Sequence, residues 1–102
     1  MVRGTTPTLY YVLPFPTDLL ETVASLYITF TQEGKTVLEK SLEDITITDN
    51  VISCPLSQYD TLHLHEDKYV NMQIRIKFAD GEAFASDEIT ASVKRILKDG
   101  EI

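Results

Sequence analysis

Two histidines two positions apart, His63 and His65, with Glu66 and Asp67 directly behind them, form the densest group of potential ligands in the chain. Neutral imidazoles and a carboxylate can chelate a divalent metal, and a metal held that way can activate water for hydrolysis. On an extended strand the two imidazoles would share a face. Against this, no third histidine is present to close a site. The plainer reading is an exposed polar turn leading into a strand, with Leu64 tucked inward, and no metal ligand is assigned.

Three other groups have the right atoms for chemistry. Glu43/Asp44, Glu66/Asp67 and Asp87/Glu88 are carboxylate pairs of the kind that cleave glycosides. Each pair is adjacent in sequence, so on a strand its members point to opposite sides, and acids rarely leave solvent without a partner. Cys54 is a potential nucleophile beside His63 or His65. Between Ser53 and Pro55 it reads better as a small buried hydrophobe, with no Gly-rich turn nearby to hold an oxyanion. The four glycines are isolated, which excludes the usual phosphate-cradling loop. No catalytic or cofactor-binding residue is assigned, and no cofactor is expected. Tyr10, Tyr11, Tyr27, Tyr59 and Tyr69 suit stacking on sugars or a place at a protein interface. The absence of tryptophan weakens the sugar platform.

The elements that would position these residues are strands. From Val70 to Phe78 apolar and polar residues alternate without a break, giving one dry face (Val70, Met72, Ile74, Ile76, Phe78) and one wet face (Asn71, Gln73, Arg75, Lys77). The Asp80-Gly81 turn signal follows, and a second strand is expected from about Phe84 to Ile96, with a bulge or an edge where Ser86-Asp87-Glu88 interrupts it. Ser25–Gln32 alternates too, and Glu33-Gly34-Lys35 should turn it into Thr36–Leu42. Shorter strands are expected at Thr8–Leu13, Ile45–Thr48 and Val51–Cys54, the last two joined by Asp49-Asn50. Thr17–Val23 suits one helical turn capped by Thr17 or Asp18, and Ser57-Gln58-Tyr59-Asp60 another, with serine and acid at capping-box spacing. About seven antiparallel strands with one short helical turn before the sixth predict an all-β, immunoglobulin-like β-sandwich. A Greek-key barrel of the OB type is the competitor, but it usually needs a longer helix.

Length and charge bound the function. The 102 residues fit one domain, 1–102, and a composition 43% hydrophobic and 25% charged is that of a globular chain. Nine Lys and Arg against sixteen Asp and Glu leave a net charge of −7, which nucleic-acid phosphates and anionic lipid repel. Neither nucleic acid nor membrane is expected as a partner. Residues 1–7 have no apolar segment of the secretory type, and no apolar run approaches the roughly 20 residues that span a bilayer. Residues 1–7 and 97–102 read as flexible or partner-contacting ends.

Arg3-Gly4-Thr5-Thr6-Pro7-Thr8, Gln32 to Lys40, Leu56 to Leu62, and Gln73-Ile74-Arg75-Ile76-Lys77 with Asp80-Gly81 together resemble small prophage-encoded proteins of Gram-positive gut bacteria. Those proteins are found among phage structural genes. More distantly, Thr8 to Val93 resembles the immunoglobulin-like N-terminal domain of phage upper baseplate proteins. The resemblance implies a non-enzymatic virion, tail or baseplate-associated structural or assembly protein whose partners are other phage subunits or further copies of itself. It implies a place in the host cytoplasm during assembly and then in the virion. The alternative is a carbohydrate-binding or adhesion module of the sandwich type.

Overall fold

Antiparallel pairing of two ten-residue strands, β2 (Val23–Gln32) and β6 (Tyr69–Phe78), occupies the centre of the molecule. The computed structural model describes residues 1–102. With that pair included, eleven segments run in the order β1 (Thr8–Val12), α1 (Thr17–Leu20), β2, β3 (Lys35–Ser41), a 3-10 turn at Leu42–Asp44, β4 (Thr46–Thr48), β5 (Val51–Pro55), α2 (Gln58–Leu62), β6, β7 (Ala83–Ala85) and β8 (Ile89–Ser92). They build two antiparallel sheets. One has the order β1-β5-β4; in the other, β3 and β6 flank β2, and β7 and β8 share the far side of β6.

Alternation decides which side chains meet between the sheets. On β2 and β6, Leu26, Ile28, Phe30, Val70, Ile74, Ile76 and Phe78 are buried, while Tyr27, Arg75 and Lys77 are exposed. Ile52 and Cys54 of β5 are buried in the same core, with Leu9 and Tyr11 of β1 packed against it. Phe15, just before α1, wedges edge-on between Phe78 and Phe84, with ring centroids 5.3 and 4.9 Å away. The mostly-β, two-sheet architecture expected from the sequence is present.

Turn chemistry sets the registers. Glu33 and Gly34 both have positive φ (53° and 76°), the two-residue hairpin geometry that matches strand twist. Past this turn β3 carries a bulge opposite Phe30/Thr31, which puts Val37 out of step and explains why its apolar residues show no clean alternation. At the other hairpin Gly81 (φ 91°) closes a three-residue loop, and Asp80 Oδ1 accepts from the Glu82 N–H at 2.9 Å.

Several expectations need correction. The last strand, expected as Phe84–Ile96, is two strands and ends at Ser92, which makes eight strands rather than about seven. β7 pairs with Arg75–Lys77 and β8 with Tyr69–Met72, and between them the register slips by one residue. At the slip Ser86 is buried; its N–H donates to the Ile74 carbonyl at 2.8 Å, and its Oγ accepts from the Ile74 N–H at 3.0 Å. A side-chain oxygen thus replaces a missing main-chain acceptor. The helical turns expected at Thr17–Val23 and Ser57–Asp60 are present as α1 and α2, and a 3-10 turn at Leu42–Asp44 adds a third. Pro16, not Thr17 or Asp18, stands at the cap of α1, and Val23 already belongs to β2.

The N-terminal segment lies against the exit of β8. The Met1 ammonium donates to the Ser92 carbonyl at 2.8 Å, and Val2 bridges Lys94 in parallel. Gly4, at φ 75°, has Ile96 so close that a Cβ would sit 2.7 Å from its Cδ1. At the other end Leu97 and Ile102 are almost fully exposed.

Ser86→Ala should leave the Ile74 amide without an acceptor in a buried position and cost about 1–3 kcal/mol. Urea denaturation followed by circular dichroism measures it; an unchanged midpoint would show that the amide finds another partner.

Candidate functional site

The sequence-derived ligand group sits where α2, the loop after it and both chain ends converge. α2 starts because Ser57 and Asp60 bond reciprocally: the Asp60 N–H donates to Ser57 Oγ at 3.0 Å, and the Ser57 N–H donates to Asp60 Oδ2 at 2.9 Å. The same Oδ2 accepts from the Lys40 ammonium at 2.8 Å. Lys40 stands opposite Ile28, on the inward-facing side of β3, so its charge needs a partner there. The two side chains are only 16% and 11% exposed. Burial pushes the Asp60 carboxyl up, but the bonds from Lys40 and Ser57 outweigh it and hold the group below the ordinary carboxylate range.

His63 follows as the C-cap of α2, in helical conformation (φ −74°, ψ −16°). The two histidines therefore do not share a strand face. The His63 Nδ1–H donates to the Tyr59 carbonyl at 2.7 Å, and the ring lies edge-on to Tyr59 with centroids 4.5 Å apart. His65 is held through its backbone: its N–H donates to Gln32 Oε1 at 2.7 Å, and Gln32 Nε2 donates back to its carbonyl at 2.9 Å. His63 and His65 both line an open cleft of about 460 Å³, together with Arg3, Glu66 and Asp99.

Arg3 is the one strong cation in that cleft, and the fold uses its donors. Nε donates to the Leu64 carbonyl at 3.0 Å, Nη2 to the Leu62 carbonyl at 3.2 Å, and Nη1 pairs with Asp99. The Arg3 guanidinium holds the Asp99 carboxyl below its usual range. No three His, Cys, Asp or Glu side chains anywhere in the molecule converge as a metal site would require.

The remaining candidates are dispersed. Glu43/Asp44 lie in the 3-10 turn, where Asp44 accepts from Ser41; Glu66/Asp67 precede β6; Asp87/Glu88 lie in the break between β7 and β8. Cys54 is buried beside an apolar cleft of about 140 Å³ lined only by hydrophobic residues and tyrosine, with neither histidine among them. Burial pushes its thiol up to about 11, so it stays protonated at neutral pH. The tyrosines do not gather: Tyr10 faces outward from the smaller sheet, while Tyr27 and Tyr69 face outward from the larger one. Tyr69 and Arg75, the partner of Tyr27, are roughly 20 Å apart along β6.

What the fold does assemble is surface. The outer face of the smaller sheet (Thr8, Tyr10, Val12, Thr46, Thr48, Val51, Ser53) carries no charge. On the outer face of the larger sheet, Arg75 and Lys77 stand beside Tyr27 and Ser25, with Glu39 the acid paired to Thr29. Sequence reasoning missed the Arg3 clasp and the Lys40–Asp60 pair. The second had a signal, since Lys40 falls in phase with the inward Leu38.

Two outcomes are expected. Asp60→Asn should destabilise the fold by about 1–3 kcal/mol, because the carboxamide keeps one oxygen for the Ser57 N–H but leaves the mostly buried Lys40 ammonium without its counter-charge. Since the folded Asp60 titrates below its unfolded value of about 3.9, its contribution is complete above that value and disappears as pH falls through the lower folded one. Stability profiles of wild type and Asp60→Asn should therefore converge in acid; parallel curves down to pH 2 would refute the assignment. Cys54 should resist alkylation in the native chain at neutral pH and react on unfolding, which mass spectrometry reads directly.

Comparison with protein-family models, with curated proteins and with solved structures yields no match.

Proposed function

We propose that the chain is a phage or prophage structural or assembly protein, associated with the virion, tail or baseplate, that works through protein–protein contacts and catalyses nothing. The supporting observation is where the molecule places its distinctive residues. Its histidines, carboxylates and cysteine are dispersed or engaged in the fold. Its two sheet faces, in contrast, are broad, exposed and sparsely charged in a protein of net charge −7.

Interfaces favour such surfaces: tyrosine is enriched in them, and acidic residues are depleted at their centres. Arg75 and Lys77 give the outer face of the larger sheet a local positive stripe that an acidic neighbouring subunit would complement. The immunoglobulin-like identity of the sandwich belongs to the same reading, as does the likeness of residues 3–8, 32–40, 56–62, 73–77 and 80–81 to phage structural-gene products. On this reading the chain folds in the host cytoplasm and leaves in the particle.

Mass spectrometry of particles purified from an induced lysogen should find the chain at a fixed ratio to a known tail or baseplate subunit. Its absence from particles and from assembly intermediates would overturn the proposal.

A further inference from the structure

We infer that strand β1 pairs with β1 of a second copy of this chain, antiparallel and about a twofold axis through Tyr10. The inference rests on the contact-forming reading above and names a partner for it.

β1 pairs with β5 alone, so its other side is a sheet edge. The pairing is flanked by the Leu56 N–H bonded to the Pro7 carbonyl (2.9 Å) and the Leu13 N–H bonded to the Asn50 carbonyl (2.7 Å). Bonded positions alternate along an antiparallel ladder, so Leu9 and Tyr11 spend their groups on β5. Thr8, Tyr10 and Val12 point theirs away from it. No side chain bonds those groups either, and all three residues are exposed.

The other edges are defended in the ways that block strand addition. β3 has a bulge and carries Lys35, Glu39 and Lys40; β4 is three residues long; β7 and β8 are broken at Ser86–Glu88. β1 has no charge, no proline and no bulge over Thr8–Val12.

The occupant follows from charge and symmetry. Two copies of a −7 protein repel least when the surfaces that meet in a twofold contact, which brings a surface against itself, carry no charge. β1 and the outer face beside it satisfy that condition. Centred on Tyr10, the pairing sets Thr8 against the other copy's Val12 and bonds all three free N–H groups on each copy. Inside, Leu9 meets the other copy's Tyr11, an aromatic–aliphatic cross-strand pair. Those inner side chains also extend cover over the apolar cleft, where Leu9 and Tyr11 face Met72, Ile74 and Ile89. One strand per copy falls short of the roughly 800 Å² per partner of a stable complex, so the dimer is concentration-dependent.

Sedimentation equilibrium from dilute solution to about 1 mM tests this. Wild type should approach twice the chain mass. Tyr10→Pro removes a donor that β5 does not use, and Tyr10→Lys sets like charges opposite each other; both should remain single chains with unchanged circular dichroism. Tyr69→Lys, at a tyrosine equally exposed (70%), should behave as wild type. Amide exchange at Thr8, Tyr10 and Val12 should slow with concentration. A single chain up to about 1 mM, or a dimer that survives Tyr10→Pro, overturns the inference. Protection of those amides only by a different purified phage subunit overturns it too and gives the edge to another chain. The particle experiment fails separately: a self-pairing chain absent from particles overturns only the phage assignment, and a strict monomer found in particles overturns only the self-pairing.

Discussion

The β2–β6 ladder is the constraint on which the rest of the molecule depends. Each strand lends its other side to a neighbour, β3 for one and β7 with β8 for the other. Between them they supply seven of the fourteen buried apolar residues: Leu26, Ile28, Phe30, Val70, Ile74, Ile76 and Phe78. A shift of one residue in that register would turn the buried set of the strand that slips, three residues on β2 or four on β6, to solvent. The smaller sheet has only three strands, two of them five residues long, and it is stable as a lid over this ladder rather than alone.

Polar groups finish what the apolar core begins. The Asp60 carboxylate starts α2 and ties it to β3 through Lys40. Gln32, almost fully buried at the end of β2, grips the backbone of His65 from both sides. Arg3 pins the exit of α2 and the loop after it through the carbonyls of Leu62 and Leu64. No buried side-chain nitrogen or oxygen lacks a partner. The region that looks most like a reactive site in the sequence is thus, in the fold, a fastening between the helix exit and both chain ends.

Local rules made much of this legible. The period-two pattern of Val70–Phe78, the Glu33-Gly34 and Asp49-Asn50 turns, and the Ser57/Asp60 spacing each act within a few residues, so sequence neighbours determine them. Ser86-Asp87-Glu88 was legible as an interruption. Its consequence was not, because two separate strands depend on Ser86 reaching Ile74 across the sheet. The exposed polar turn at His63–Asp67 with Leu64 inward was legible too, although α2 extends closer to it than the capping signal alone requires. Arg3 with Leu62 and Asp99, and Lys40 with Asp60, are pairs that only the folded chain brings together. The candidate site was least legible because its members were recognisable by type, and type does not reveal which of them the fold engages.

The uneven defence of the sheet margins limits how such a body can combine. Two open sheets have four margins, and three of them, at β3, β4 and the broken β7/β8 line, obstruct a joining strand. The molecule therefore has a strand valence of one. On the pairing inferred above, joining two copies uses that single margin on each and leaves none for a third.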